Sequence, residues 1–227
     1  MERHESPPVF KDRADAGRTL GRRLGHLSNE QPVVLALPRG GVPVAVEVAG
    51  ALAAPLDLLI ARKIQIPYNP EAGYGAVAED GSVTLNEPLV ARLRLSQEEI
   101  GEHAQTVRAE IARRSERYRR VLPPVDISGK ACILVDDGLA SGYTMLAAIE
   151  SAQRRGAARM IAAVPAASRR AYELVQSAAD EVISIIIAEG SVFAVANYYL
   201  DWYDLDDDEV IRELKHWRSS NPQGMHR

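Results

Sequence analysis

Two hydrophobic periods alternate along the chain. From Phe10 to Leu27 apolar or small residues recur at helical spacing (Ala14, Gly17, Leu20, Leu24, Leu27), with Asp12 or Asp15 near the start, which predicts an amphipathic helix. Val33-Val34-Leu35-Ala36-Leu37 then runs without a break into Pro38-Arg39-Gly40-Gly41, the pattern of a strand buried on both faces and followed by a tight loop. A helix is predicted over 42–53, and a second buried strand over 56–61, with Arg62-Lys63 at its end. The stretch 64–85 is rich in Pro and Gly, and Glu79-Asp80-Gly81-Ser82 between two short apolar runs predicts a hairpin. Ser96-Gln97-Glu98-Glu99 has the form of a capping box and opens a long helix to about Leu122, stopped by Pro123-Pro124. Beyond it the order is regular: strand 131–135, helix 142–155, strand 160–164, helix 168–178, strand 182–188, an aromatic-rich segment, and a short helix over 206–217. Helices and strands joined by short connections predict an α/β fold with a doubly wound, mostly parallel five-stranded sheet.

Composition narrows the classes. With 227 residues, 46% of them hydrophobic, the chain can bury a core without staples, and its one cysteine, Cys132, forms no internal disulfide. Glu47, Pro55 and Asp57 interrupt the best apolar run, so no membrane span is expected, and Met1 to Glu5 is too charged for a secretory signal; a cytoplasmic protein is expected. No repeat or second nucleation point divides the chain, so one domain over 1–227 is expected. The net charge of −4 argues against broad nucleic-acid affinity. Its distribution says more, because six arginines fall between Arg108 and Arg120 and six acids between Asp201 and Glu209.

Chemistry concentrates in one stretch. Ile133-Leu134-Val135 delivers Asp136 and Asp137 to the end of a strand, and Gly138-Leu139-Ala140-Ser141-Gly142-Tyr143-Thr144 then runs into a helix N-terminus. Small residues let backbone N–H groups approach an anion, and the helix start adds unpaired donors and positive dipole character, which suits a phosphate. Ser141 and Thr144 add hydroxyl donors. Two carboxylates beside a phosphate must face something else, and vicinal sugar hydroxyls or a Mg²⁺ ion are the natural partners. Phosphate plus diol points to a ribose 5-phosphate.

This stretch resembles the motif that binds phosphoribosyl pyrophosphate (PRPP) in type I phosphoribosyltransferases. The resemblance implies that Asp136 and Asp137 hold the ribose hydroxyls and that Gly138, Leu139, Ala140, Ser141, Gly142 and Thr144 wrap the 5-phosphate, with Ser141 where the loop usually has Thr. It also implies a sheet in the order 2-1-3-4-5, with the loops after strands 1 and 3 converging at the switch point. Arg39, Gly40 and Gly41 then become the pyrophosphate loop, in which the family often has a cis peptide before the basic residue. Arg62 and Lys63 would assist the leaving pyrophosphate from the same crevice. Residues 66–80 take the place of the flexible catalytic loop, with Glu71, Tyr68 and Tyr74 as contact candidates. Where the 6-oxopurine enzymes often have a proton-accepting Asp this chain has Ala140, as the adenine transferases do, so the proton goes elsewhere, with Glu71 or a carboxylate not identified by the sequence as the candidate general base.

After the last strand the family builds a hood over the base. Within 189–217, Phe193, Tyr198 and Trp202 are its aromatic candidates, and Asp201 is an additional metal candidate beside Asp136 and Asp137, by resemblance to the hypoxanthine-guanine transferases with a spacing one residue longer. The same aromatics are equally consistent with sealing the edge of the core. The insertion over 64–122 combines the flexible loop with the arginine-rich helix. That helix invites a nucleic-acid reading, but Glu102, Glu110 and Glu116 interrupt it and Ile100, Val107, Ile111 and Tyr118 form a packing stripe, which favours a solvated or interface face. Overall the chain is most similar to stand-alone bacterial phosphoribosyltransferases of unassigned acceptor. The expectation is a Mg²⁺-dependent transfer from PRPP to a ring nitrogen, of salvage type, in a homo-oligomer. The rival is a non-catalytic PRPP sensor that binds RNA or DNA.

Overall fold

The computed structural model describes residues 9–66, 69–190 and 192–221, with residues 69–71 described by their backbone alone. Its first helix, α1 (Arg13–Leu24), starts at an Asp12 N-cap whose side chain accepts from the Asp15 N–H, and a 3₁₀ turn (Gly25–Glu30) ends it. Strand β1 (Val33–Ala36), helix α2 (Gly41–Leu52) and strand β2 (Leu56–Leu58) follow. Gly17 makes the α1–α2 packing possible: a Cβ there would lie 2.7 Å from the Val44 carbonyl and 2.8 Å from the Glu47 Cβ.

The chain then leaves this sheet. Strand β3 (Ala61–Ile66) pairs antiparallel with β4 (Asn69–Ala78), and β4 pairs with β5 (Val83–Leu85), forming a separate three-stranded sheet. The hairpin expected at Glu79–Ser82 joins β4 to β5. The single strand expected over 56–61 is two elements in two sheets. Leu58, Leu59, Ile60 and Ala61 are all buried, so no polar residue marks the passage from one to the other. Helix α3 (Glu87–Leu93), capped by Asn86 and carrying Pro88 in its first turn, has its signal in Asn-Glu-Pro. Helix α4 (Gln97–Arg119) opens with both halves of the Ser96/Glu99 capping box formed.

The remainder follows the expected alternation: β6 (Ala131–Val135), α5 (Tyr143–Arg154), β7 (Arg159–Ser168), α6 (Arg169–Gln176), β8 (Glu181–Ala188), a 3₁₀ turn (Val195–Tyr198) and α7 (Asp207–Ser220). The main sheet runs β2-β1-β6-β7-β8, all parallel, which is the order 2-1-3-4-5 of its strands. Alternation along β1 divides the core. Val34 and Ala36 join a cluster with α1, α2 and α7, whereas Val33 and Leu35 join one with α5. Each fully buried aliphatic side chain contributes about 1.5–3 kcal/mol, so the sheet is fixed from both faces. No helix among the described residues is long and apolar enough to cross a membrane.

Candidate functional site

Strands β1 and β6 lie side by side, and the chain leaves them in opposite directions, so the crevice between their C-terminal ends is the switch point of the sheet. The loops that follow them touch. The Leu37 N–H donates to the Val135 carbonyl at 2.9 Å. A Cβ on Gly40 would sit 1.9 Å from Asp137 Oδ2, and one on Gly41 would sit 2.5 Å from the Val135 carbonyl oxygen. Both glycines are therefore required by the close approach of the two loops. The Pro38–Arg39 peptide is cis.

After Asp137 the loop is tied to β7. Leu139 donates to the Ala166 carbonyl, Ser168 donates back to Leu139, and Ser168 Oγ donates to the Ala140 carbonyl, each at 2.9 Å. Ala140 and Ser141 stay exposed at the rim. Gly142 takes φ +84° as the N-cap of α5, a left-handed conformation that favours glycine, and no side chain caps the helix start. A fixed loop with an uncapped helix N-terminus suits an anion.

The acidic pair is held through Asp137. The Asp137 N–H donates to Asp136 Oδ1 at 2.8 Å. Arg13 of α1 donates its Nε–H to Asp137 Oδ2 at 2.9 Å, with its side chain 8% exposed. Burial pushes both carboxyls above the usual carboxylate range. Asp136 rises furthest, because the Asp137 charge adds to its burial, while Arg13 opposes the rise on Asp137. Tyr199 donates its hydroxyl to the Asp137 carbonyl at 2.7 Å. Neither Arg13 nor Tyr199 is marked by the sequence as a site residue. Arg13 reads as one polar position in an amphipathic helix, and its partner is 124 residues away.

A sequence model described as the phosphoribosyl transferase domain matches residues 12–201. The chain belongs to this family. Two curated proteins from Mycobacterium tuberculosis, strains H37Rv and CDC 1551, each named "Putative phosphoribosyl transferase", are 40% identical to it over 206 residues, 91% of this chain. The chain spans about half the length of these relatives (46%). The crystal structure of TT1426 from Thermus thermophilus is 41% identical, covers 92% of this chain and 99% of its own, and superposes with a TM-score of 0.76.

Against the family's expected site, several residues fall elsewhere. Arg62 and Lys63 do not end a strand of the main sheet; they lie inside β3, opposite Val77 and Ala76 of β4, and neighbouring strand residues point to opposite faces. Arg62 turns toward α4 and pairs with Glu110 at 2.8 Å. Burial lowers its pKa, aided by the like charges of Arg114 and Arg39, so three cations lie near one another here. Lys63 is exposed. Tyr74 is fully buried, its hydroxyl 2.8 Å from His103 Nδ1, and so faces the core instead of a substrate. Tyr68 and the Glu71 side chain lie outside the described residues.

In the tail, Phe193 and Tyr198 pair with ring centroids 5.2 Å apart and stay half-exposed beyond β8. Trp202 does not stand beside them as a base-stacking surface. The Arg13 guanidinium covers its ring at 3.9 Å, and Tyr199 packs 5.1 Å away. Asp201 is exposed in a cleft between α1 and α7, and among the described residues no three His, Cys, Asp or Glu side chains converge, so it does not complete a metal cluster with Asp136 and Asp137.

Four of the six arginines between Arg108 and Arg120 brace the fold, while Arg113 and Arg120 stay exposed. Arg108 donates to the Gly81 carbonyl, Arg114 and Arg117 pair with Asp207, and Arg119 pairs with the buried Asp57 and with Glu79. Cys132 is buried in β6, which pushes its thiol up to about 11 and leaves it unreactive.

Proposed function

We propose that the chain transfers the 5-phosphoribosyl group of PRPP to a ring nitrogen, with release of pyrophosphate. The observation that carries this reading is the meeting of Gly40 with the Asp137 carboxylate, which sets the loop after β1 against the acidic pair and the uncapped start of α5. In this reading Asp136 and Asp137 accept hydrogen bonds from the two ribose hydroxyls, and backbone N–H groups from Gly138 to Gly142, with Ser141 and Thr144, hold the 5-phosphate. Arg39, with Gly40 and Gly41, receives the pyrophosphate and stabilises the charge that grows on it as the bond to C1 breaks. The acceptor nitrogen attacks the opposite face, inverting C1. Arg62 and Arg114 lie near Arg39 and extend the positive field toward the leaving group. Glu71 remains the proposed proton acceptor, and the β3–β4 hairpin the segment whose closure excludes water.

The oxygen donors present fit Mg²⁺. Asp136 and Asp137 are two adjacent carboxylates with a single arginine contact, and Mg²⁺ characteristically binds through one or two carboxylates together with substrate phosphates. When bound, the ion would neutralise phosphate charge. The half-exposed Phe193–Tyr198 pair supports a planar acceptor, such as a nucleobase, since aromatic faces stack. The pairing of Arg114, Arg117 and Arg119 with acids of other elements favours an enzyme over a nucleic-acid-binding sensor, because those charges are already partnered. We place the protein in the cytoplasm, as one domain acting in a homo-oligomer.

The test is pyrophosphate release from PRPP and Mg²⁺ with adenine, guanine, hypoxanthine, xanthine, uracil and orotate in turn. Release with at least one ring is expected. Release with none, together with salt-sensitive RNA retention, would overturn the reading.

A further inference from the structure

The contacts around Arg13 serve no catalytic role in the reading above, yet they converge on one of its two acids. Arg13 is buried at the first position of α1, where an arginine needs a reason to be. Its guanidinium makes three contacts among the described residues. Nε donates to Asp137 Oδ2 at 2.9 Å, Nη1 donates to the Tyr203 carbonyl at 2.9 Å, and the plane lies over the Trp202 ring at 3.9 Å. The same tail segment reaches the main chain of Asp137, through the Tyr199 hydroxyl at 2.7 Å. Tyr199 is itself wedged between Phe10, centroids 5.7 Å apart, and Trp202. Backbone hydrogen bonds join these segments: Phe10 donates to Tyr198, Leu200 to Phe10, and Asp201 to Lys11.

Asp137 is thus gripped at its carboxylate by the start of the chain and at its carbonyl by the tail. Gly40 closes the third side, since a Cβ there would strike the same Oδ2 that Arg13 holds. The Asp137 side chain has Oδ2 committed to Arg13, so the contact sets which way the carboxylate presents itself to a ligand. The planar guanidinium spans two acceptors, the Asp137 carboxylate through Nε and the Tyr203 carbonyl through Nη1, and the cation–π contact with Trp202 fixes that plane in turn.

We propose that Arg13 is a positioning residue for the sugar-binding acid, held by Trp202 and Tyr203, and that it orients Asp137 for a ribose hydroxyl without touching the substrate. This rests on the assignment of Asp137 to the ribose given above. It moves Trp202 from a surface for the acceptor ring to a support for the sugar site. It also separates two ends of one ligand: Arg13 acts on the ribose, while the pyrophosphate lies with Arg39, Gly40 and Gly41.

The experiment measures dissociation constants for ribose 5-phosphate and for Mg²⁺-pyrophosphate separately, on the full chain and on Arg13→Met and Arg13→Lys, with folding checked by circular dichroism. Arg13→Met is expected to weaken ribose 5-phosphate by about 10–100-fold, the scale on which removing an orienting partner acts, and to leave Mg²⁺-pyrophosphate within about twofold. Arg13→Lys, which keeps the charge but loses the fork, is expected to recover part of the loss. A general structural defect would weaken both ligands together and would overturn the proposal, as would equal ribose 5-phosphate affinity in a folded variant. If Arg13→Met does not fold, the same split in Arg13→Lys decides. A native protein that binds neither ligand overturns the ribose assignment as well, so the two failures are told apart.

Discussion

Among the described residues, two buried pairs of acids that meet arginine are built on opposite plans. Asp57 and Glu79 face Arg119 and Arg155, each acid within ion-pair distance of both arginines, and Asp57 also accepts the N–H groups of Leu58 and Val125. Two negative charges meet two positive ones. Asp136 and Asp137 meet Arg13 alone, and only Asp137 touches it. The first cluster is complete without a ligand and ties β2, the β4–β5 hairpin, α4 and α5 together. The second carries an uncompensated carboxylate at the switch point of the sheet, which is where a bound partner can supply the missing charge or donors.

The contrast can be broken first at its structural pole. Asp57→Ala removes the buried acid that both arginines share, leaving them Glu79 alone, and is expected to cost about 3–5 kcal/mol of folding free energy, read by urea denaturation. Activity per folded molecule should survive, and a specific loss of turnover at unchanged stability would contradict the division of labour. At the other pole, Asp137→Asn is expected to cost about 1.5–3 kcal/mol of PRPP binding, roughly 10–100-fold in KM, because a charge-assisted hydrogen bond becomes a neutral one. Asp136→Asn relieves a like-charge contact, so its melting temperature should stay level or rise while PRPP binding falls. An equal loss of stability at both poles would erase the distinction.

Gly40→Ala sharpens the geometry. The added methyl meets the Asp137 carboxylate, and the overpacking is expected to cost about 1–3 kcal/mol in stability together with measurable PRPP affinity. The smallest effect belongs to Asp80. Partial burial raises its pKa, but hydrogen bonds from Arg154 and Ser82 outweigh that and bring it from 3.8 down to about 2. A depressed folded pKa gives stability that is fully present above pH 3.8 and lost as pH falls toward 2. Because the pair is largely exposed, its worth is discounted to under about 1 kcal/mol, and Asp80→Asn should flatten the acid limb of the stability curve by that amount.

What is legible in the chain follows the same contrast. The main sheet is legible because its strands are short apolar runs closed by local signals: Pro38-Arg39-Gly40-Gly41 after β1, and Asp136-Asp137 before a small-residue loop. The Ser96 capping box and the Gly81 hairpin are also complete within a few residues of sequence. Arg62 and Lys63 are misplaced by the sequence pattern because Leu58 to Ala61 is apolar throughout and hides a change of sheet. Trp202 reads as a stacking surface because its neighbour in space, Arg13, is far away in the chain. The arginines of α4 look like a surface run for the same reason: Arg119 finds Asp57 and Arg117 finds Asp207 only after the chain has folded back. Local chemistry is visible, whereas pairing across long loops is not.

The hydrogen bonds between Phe10 and Leu200, and between Lys11 and Asp201, have a consequence for synthesis. Arg13 leaves the ribosome before Asp137, and Asp137 well before Tyr199 and Trp202. The acidic pair and Arg13 therefore exist for a time without the tail residues that hold them, while the main sheet can already be growing from its first strands. A nascent chain that has not yet emerged beyond Trp202 carries the acids without their tail support, so the grip on Asp137 is complete only once the segment through Tyr203 has emerged.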